Sequence, residues 1–156
     1  MIYLAHKERE SNNLHDCGLA KIKNNLHLFL FFFFLLVLAS CGFAEKSAIT
    51  SVLEKRDQAV SERNIIAFAQ LLADDFMENG INKEARISQE AALFKQFEQI
   101  KMHSHARTIT LHGPHAECEQ SYSLRVLRDG DWRSMVQRER IQLKKNAHGW
   151  KIIGGI

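Results

Sequence analysis

The chain of 156 residues has one proline and three cysteines, and it has no marked excess of either charge: 21 Lys and Arg stand against 18 Asp and Glu, for a net charge of +3. Each shortage excludes something. A lone proline with 46% hydrophobic residues is not the composition of a disordered or proline-rich polymer, and the length suits one folded domain. Cys17, Cys41 and Cys118 form no CxxC pair, which removes zinc fingers and disulfide-stapled mini-domains. A near-balanced charge lacks the basic footprint of a DNA or RNA binder, so nucleic acid is not an expected partner. The chain also has no apolar run of the roughly 20 residues that a spanning helix requires.

What it does have is a shorter apolar run. LFLFFFFLLVL occupies Leu28 to Leu38, with Lys21 and Lys23 before it and Leu38-Ala39-Ser40-Cys41 at its end. A basic segment, a short apolar core and small residues at a cut site are the layout of a secretory signal peptide. Leu38 to Cys41 resembles the lipobox of bacterial lipoproteins, in which the cysteine thiol is acylated and becomes residue one of the mature protein. The expectation is a signal peptide over 1–40, lipidation at Cys41, a tether over 41–46 and a domain over 47–156. Residues 1–18 exceed what such a leader needs, and a start of translation near Leu19 or Ile22 is expected. Gly42 after the lipidated cysteine resembles lipoproteins sorted to the outer membrane, so the expected place is the periplasmic side of a bacterial membrane.

Beyond Glu45 the period is helical. Ile49, Val52, Leu53, Arg56, Ala59 and Val60 predict an amphipathic helix over Glu45–Ser61, with Ser47 as a cap. Asn64 caps a short helix with Ile65, Phe68, Leu71 and Leu72 on one stripe, and Ser88 is read as the cap of a third carrying Leu93, Phe94, Phe97 and Ile100. From Lys101 the period becomes two, in four runs separated by Gly113-Pro114, Asp129-Gly130 and the Asn146 to Gly149 segment. Helices first and an antiparallel meander afterwards predict an α+β fold, with the helices on one face of a curved sheet.

This order, with LLADDF at Leu71 to Phe76, a turn at Asn79-Gly80 and GWKII at Gly149 to Ile153, resembles the nuclear transport factor 2-like superfamily across Ser47 to Ile156. That resemblance implies a cone-shaped α+β domain of a kind that hosts ketosteroid isomerase, scytalone dehydratase and polyketide cyclases, together with many members that only bind ligands or partners. It also implies a homodimer through the sheet. The isomerase tyrosine and aspartate set and the dehydratase histidine and aspartate set find no residue-by-residue match here.

The turns set the register. A hairpin at Gly113-Pro114 sets His112 against His115, and a type I′ turn at Asp129-Gly130 sets the next pair. One face then carries Ile109, Leu111, Ala116, Cys118, Leu124, Val126, Met135, Ile141 and Leu143, joined by Trp150, Ile152 and Ile156. The other carries Ser104, Thr108, Glu119, Ser121, Arg138 and Arg140, with Trp132 and Val136 as a partner surface. On the core face the same register aligns Arg107, Gln120 and Glu139 across three strands, beside His105, Tyr122 and Gln137. Buried charges must be paired, so Arg107 and Glu139 are expected to interact directly or through Gln120.

Six polar groups in an apolar wall read either as a ligand pocket or as an ordinary cross-strand ion pair at a solvated sheet end. As a reactive site, Glu139 or His105 would be the general base, Tyr122 a donor to a developing oxyanion and Arg107 the anchor for an anionic group. No cofactor is called for. His103 and His105 share a face, while His112 and His115 fall on the opposite one about 20 to 30 Å away at ~3.3 Å per residue, so no four-histidine metal site forms. The function expected is a lipid-anchored domain that binds a small molecule or a protein partner without catalysis. The alternatives are a small-substrate isomerase, dehydratase or cyclase, and a subunit of an envelope assembly.

Overall fold

The computed structural model describes residues 42–156. The signal peptide over 1–40 and the lipidation of Cys41 lie outside the described residues. The chain divides into units 1–43 and 44–156, and the second holds the domain. Residues 42–46, expected as a tether, are helical: α1 covers 42–61. Then follow α2 (Ile65–Leu71), the two-residue strands β1 (Met77–Glu78) and β2 (Ile81–Asn82), α3 (Lys83–Gln96), and the long strands β3 (Gln99–His112), β4 (His115–Arg128), β5 (Asp131–Asn146) and β6 (Gly149–Gly154). The last four form one antiparallel sheet in sequential order. The class is α+β, with the helices packed against one face of that sheet.

Local chemistry sets most of these boundaries. Asn64 caps α2 by accepting a bond from the Ala67 amide, which satisfies an otherwise orphaned first-turn donor. The expected start of α3 at Ser88 is corrected: Asn82 caps it through the Ala85 amide, and Ser88 sits inside the helix. Asn79-Gly80 and Asp129-Gly130 both have positive φ at each position, the type I′ geometry whose twist matches that of the strands they join.

The core lies between α1, α2 and the inner sheet face. Ile49, Leu53, Phe68, Phe76, Cys118, Ile141, Leu143 and Ile152 are the large side chains essentially sealed from water. Each large apolar side chain buried in this way contributes about 1.5–3 kcal/mol. Phe76 follows Asp74 and Asp75, whose carboxylates turn outward to Lys83 (2.7 Å) and Lys144 (2.6 Å). The acidic pair therefore closes the α2 turn on the surface while the phenylalanine anchors it inside. Burial pushes the Cys118 thiol up to about 11, so little thiolate forms at neutral pH. Cys118 is expected to resist alkylation by iodoacetamide near pH 8 in the native protein and to be alkylated once the protein is unfolded. Mass spectrometry before and after denaturation checks this.

The register of the β3–β4 hairpin follows the turn from His112↔His115 to Thr108↔Glu119, and then it slips. From His105↔Ser121 to Gln99↔Leu127 the pairing is displaced by one residue, with Ala106 at φ 55° and Arg107 in the bulge between. An extra residue inverts every side chain beyond it. Ile100 and Ser104 are accordingly buried, while His103 and His105 are exposed on the outer face. The placement of His105 on the inner face and of Ser104 on the outer face is corrected by this bulge. Met135, expected in the core, is 48% exposed near the end of the β4–β5 hairpin.

Candidate functional site

Four side chains on the inner face, Ser104, Arg107, Gln120 and Glu139, form one hydrogen-bonded chain with Arg56 and Asp57 of α1 above them. Glu139 on β5 takes a bidentate ion pair from Arg56 of α1, at 2.7 and 2.9 Å, and a third bond of 2.7 Å from the Gln120 amide nitrogen. The Gln120 carbonyl oxygen accepts from Arg107 Nε at 2.8 Å, and its amide also donates to Ser104 Oγ at 3.2 Å. Asp57, the neighbour of Arg56 on α1, accepts from the Ser104 amide (2.9 Å), the Ser104 hydroxyl (2.8 Å) and Arg107 Nη2 (3.1 Å). Only one orientation of the Gln120 amide fits, because a guanidinium offers donors alone and a carboxylate acceptors alone. Two cations and two anions make the network neutral, which is how burial of all four is sustained.

Arg107 and Glu139 thus communicate through Gln120, while each has its own salt-bridge partner on α1. Those partners, Arg56 and Asp57, were not among the expected site residues. Their signal was present in the sequence: positions 56 and 57 fall on the apolar stripe set by Ile49, Leu53 and Val60, where a charge needs a buried partner. His105 takes no part, since the bulge turns it outward. Its ring stacks on His103 at 6.3 Å between centroids. The same inversion places His103 and His105 on the face of His112 and His115, correcting the expected opposition of the two pairs; about 20 Å of strand still separates them. Among the described residues no three metal-ligating side chains cluster.

Next to this network the inner face carries Tyr122 and Gln137, cross-strand partners whose side chains are joined by a 2.6 Å bond from the tyrosine hydroxyl. Burial, and then the Glu139 carboxylate, push the Tyr122 hydroxyl up, so it stays a neutral donor. The charges of Arg56, Arg86 and Glu90 also act on it. Glu90 is 7% exposed and bonded to Arg86 at 3.1 Å. Desolvation raises its carboxyl above the ordinary value of 4.5, against the pull of Arg86 and Arg56. Two buried donors here have no acceptor, Arg56 Nε and Arg86 Nε. Since buried N–H groups in folded proteins are nearly always satisfied, each marks a position where an acceptor belongs.

The raised carboxyl gives a pH signature. Folded Glu90 holds its proton at pH values where the unfolded chain has released it, so its contribution is fully present below pH 4.5 and is lost as pH rises through the folded value. Glu45, Asp74 and Asp75 behave oppositely, their carboxyls lowered chiefly by hydrogen bonds from lysines, so their contribution is lost as pH falls. In urea unfolding across pH 4 to 8, Glu90→Gln is expected to remove the alkaline-side loss and leave the acid-side loss intact.

Hollows on the surface of the described residues include two of some size. A groove of about 500 Å³ lies on the sheet at the bulge, among Ala106, Thr108, Glu119, Ser121, Arg138 and Arg140, and reaches Gln120 and Glu139. A second of about 380 Å³ is lined by Glu62, Arg63 and Ile65 on one side and by Ala91, Phe94 and Lys95 of α3 on the other.

Helices on the inner face of a bulged four-stranded meander, with a polar network across the middle of that face, make an α+β domain. No family model matches the chain, and no curated protein matches it. Solved structures do. A nuclear transport factor 2-like superfamily protein from Salmonella enterica is 18% identical, with TM-score 0.63 over 72% of this chain and 88% of its own. A dehydratase candidate of the same family from Streptomyces avermitilis is 9% identical, with TM-score 0.63 over 72% and 94%. Bd1075 of Bdellovibrio bacteriovorus is 20% identical, with TM-score 0.59; 69% of this chain is covered, and the chain spans 38% of Bd1075. The fold is therefore nuclear transport factor 2-like.

Proposed function

We propose that the protein is a lipid-anchored periplasmic domain that binds a small molecule at the polar band across its inner sheet face and does no chemistry on it. The observation that carries the binding reading is the pair of buried, acceptorless donors, Arg56 Nε and Arg86 Nε, on guanidinium groups that both act on Tyr122. Ordered water or the carbonyl, carboxylate or hydroxyl oxygens of a ligand would satisfy them, and this reading takes the ligand. The non-catalytic reading rests on the carboxylates. Glu139 accepts three hydrogen bonds and Asp57 three, so each has only one of its about four acceptor sites left for a substrate proton. The anchor reading rests on Leu38 to Cys41 after the apolar run.

The test is native mass spectrometry of full-length protein extracted gently from its own membranes. An acylated N-terminus at Cys41 supports the anchor, and an unmodified one refutes it. A retained small molecule that is lost from Arg86→Gln and from Tyr122→Phe, with unfolding midpoints close to wild type, supports the pocket. Retention unchanged in both variants refutes it.

One observation favours a second reading, a small-substrate isomerase, dehydratase or cyclase. Glu90, on α3, has a raised carboxyl and its charge acts on the neutral Tyr122, and a raised carboxyl working with a neutral tyrosine is a pairing that proton transfer uses. Turnover abolished by Glu90→Gln, with ligand binding retained, would establish that reading over the first.

A further inference from the structure

The outer sheet face has an asymmetry that neither the fold nor the inner site explains. Strand segments 99–105, 121–127 and 132–138, which pair with one another, contain no Asp or Glu. Lys101, Arg125 and Arg138 project from them on the outer face, with His103 and His105 between, and no carboxylate lies within 4.0 Å of any of the three cations among the described residues. The other half of the same face is compensated. There Arg140 meets Glu117 and Glu119, and Lys144 meets Asp75.

Amid the unpaired cations stands Trp132, 39% exposed, with Lys101 Nζ 5.1 Å and the Arg125 guanidinium 5.0 Å from its ring centroid. Val136, 69% exposed, continues the apolar part of the patch. An indole flanked by two cations is suited to the boundary between an apolar layer and anionic headgroups, where the ring is half-immersed and the cations meet phosphate.

We propose that this half of the outer face docks on an anionic phospholipid bilayer. Charge complementarity requires an anionic occupant, and size selects among them. Seven residues of strand by three strands give a patch of roughly 20 Å by 15 Å, on the order of 300 Å², from the ordinary strand rise and spacing. A stable protein interface needs about 800 Å² on each side. A lipid surface needs no such area, because its binding sums over separate headgroup contacts. A second copy presenting the same patch would set cation against cation.

The experiment uses the full chain and phosphatidylethanolamine vesicles with a graded fraction of phosphatidylglycerol. The apolar leader is common to every variant, so the comparison reads the patch. Wild-type binding is expected to strengthen with the phosphatidylglycerol fraction and to lose that dependence near 1 M salt, where screening acts within about 3 Å. The triple variant Lys101→Gln, Arg125→Gln, Arg138→Gln is expected to bind on the order of 100-fold more weakly to phosphatidylglycerol-rich vesicles, at about fivefold for each lost cation, with an unchanged unfolding midpoint. Trp132→Ala is expected to weaken binding on neutral and anionic vesicles alike. Equal binding of wild type and the triple variant at every phosphatidylglycerol fraction would overturn the proposal. So would a wild-type dimer in sedimentation that the triple variant dissociates, since the face would then belong to a second copy.

Discussion

Arg56→Leu is expected to lower the unfolding free energy by about 3–5 kcal/mol, the cost of stranding a buried carboxylate without its cation. Both side chains are almost sealed from water, at 6% and 9% exposure, so no solvent relieves the loss. Gln120 keeps one hydrogen bond to Glu139 but carries no charge. Melting should fall by more than about 10 °C for a domain of this size. The double variant Arg56→Leu, Glu139→Leu is expected to recover most of the loss. It removes both charges together and leaves Gln120 bonded to Ser104 and Arg107. Chemical denaturation of the single and double variants decides the matter: equal destabilisation of the two would contradict a paired, desolvated interaction.

The second large effect is expected at Asp57. This carboxylate holds the inverted segment of β3 against α1 through the Ser104 amide and hydroxyl and holds the bulge residue Arg107. Asp57→Ala orphans a buried backbone donor at about 1–3 kcal/mol and leaves Arg107 with its neutral Gln120 partner and, as its one remaining carboxylate, the longer, exposed contact to Glu54 at 3.6 Å. A total loss of about 3 kcal/mol is expected. Asp57→Asn keeps an acceptor for the Ser104 amide and should cost roughly half as much. Amide hydrogen exchange at Ser104 should accelerate far more in the alanine variant than in the asparagine variant. Equal protection of Ser104 in all three proteins would show that the bulge is held by something else.

These two expectations mark where the sequence was readable and where it was not. The meander and its hairpins were legible because Gly113-Pro114 and Asp129-Gly130 carry their own backbone geometry, and the register they imply runs correctly from His112 to Thr108 and along the whole of β4–β5. The bulge was not legible. Ala106 and Arg107 are neither glycine nor proline, and the left-handed φ at Ala106 is sustained by contacts to α1 about 50 positions earlier in the chain. One unannounced residue therefore exchanged Ser104 for His105 on the inner face. The partners of Glu139 were hidden for a similar reason. Strand parity could align Arg107, Gln120 and Glu139, but it says nothing of a helix 83 residues away that brings Arg56 to the same carboxylate. Ser88 and Asn82 are both good caps, and only the small hairpin through Asn79-Gly80 selects Asn82.

The central claim is that the polar band of the inner face is built to receive a ligand. A high-resolution crystal structure of protein purified from its own membranes tests it most directly. Density for a non-protein molecule placing oxygen acceptors about 2.7–3.2 Å from Arg56 Nε and Arg86 Nε, beside Tyr122, is the predicted result. Ordered water alone on both donors, with no molecule bound after soaking in small carboxylic acids and polyols, would contradict it.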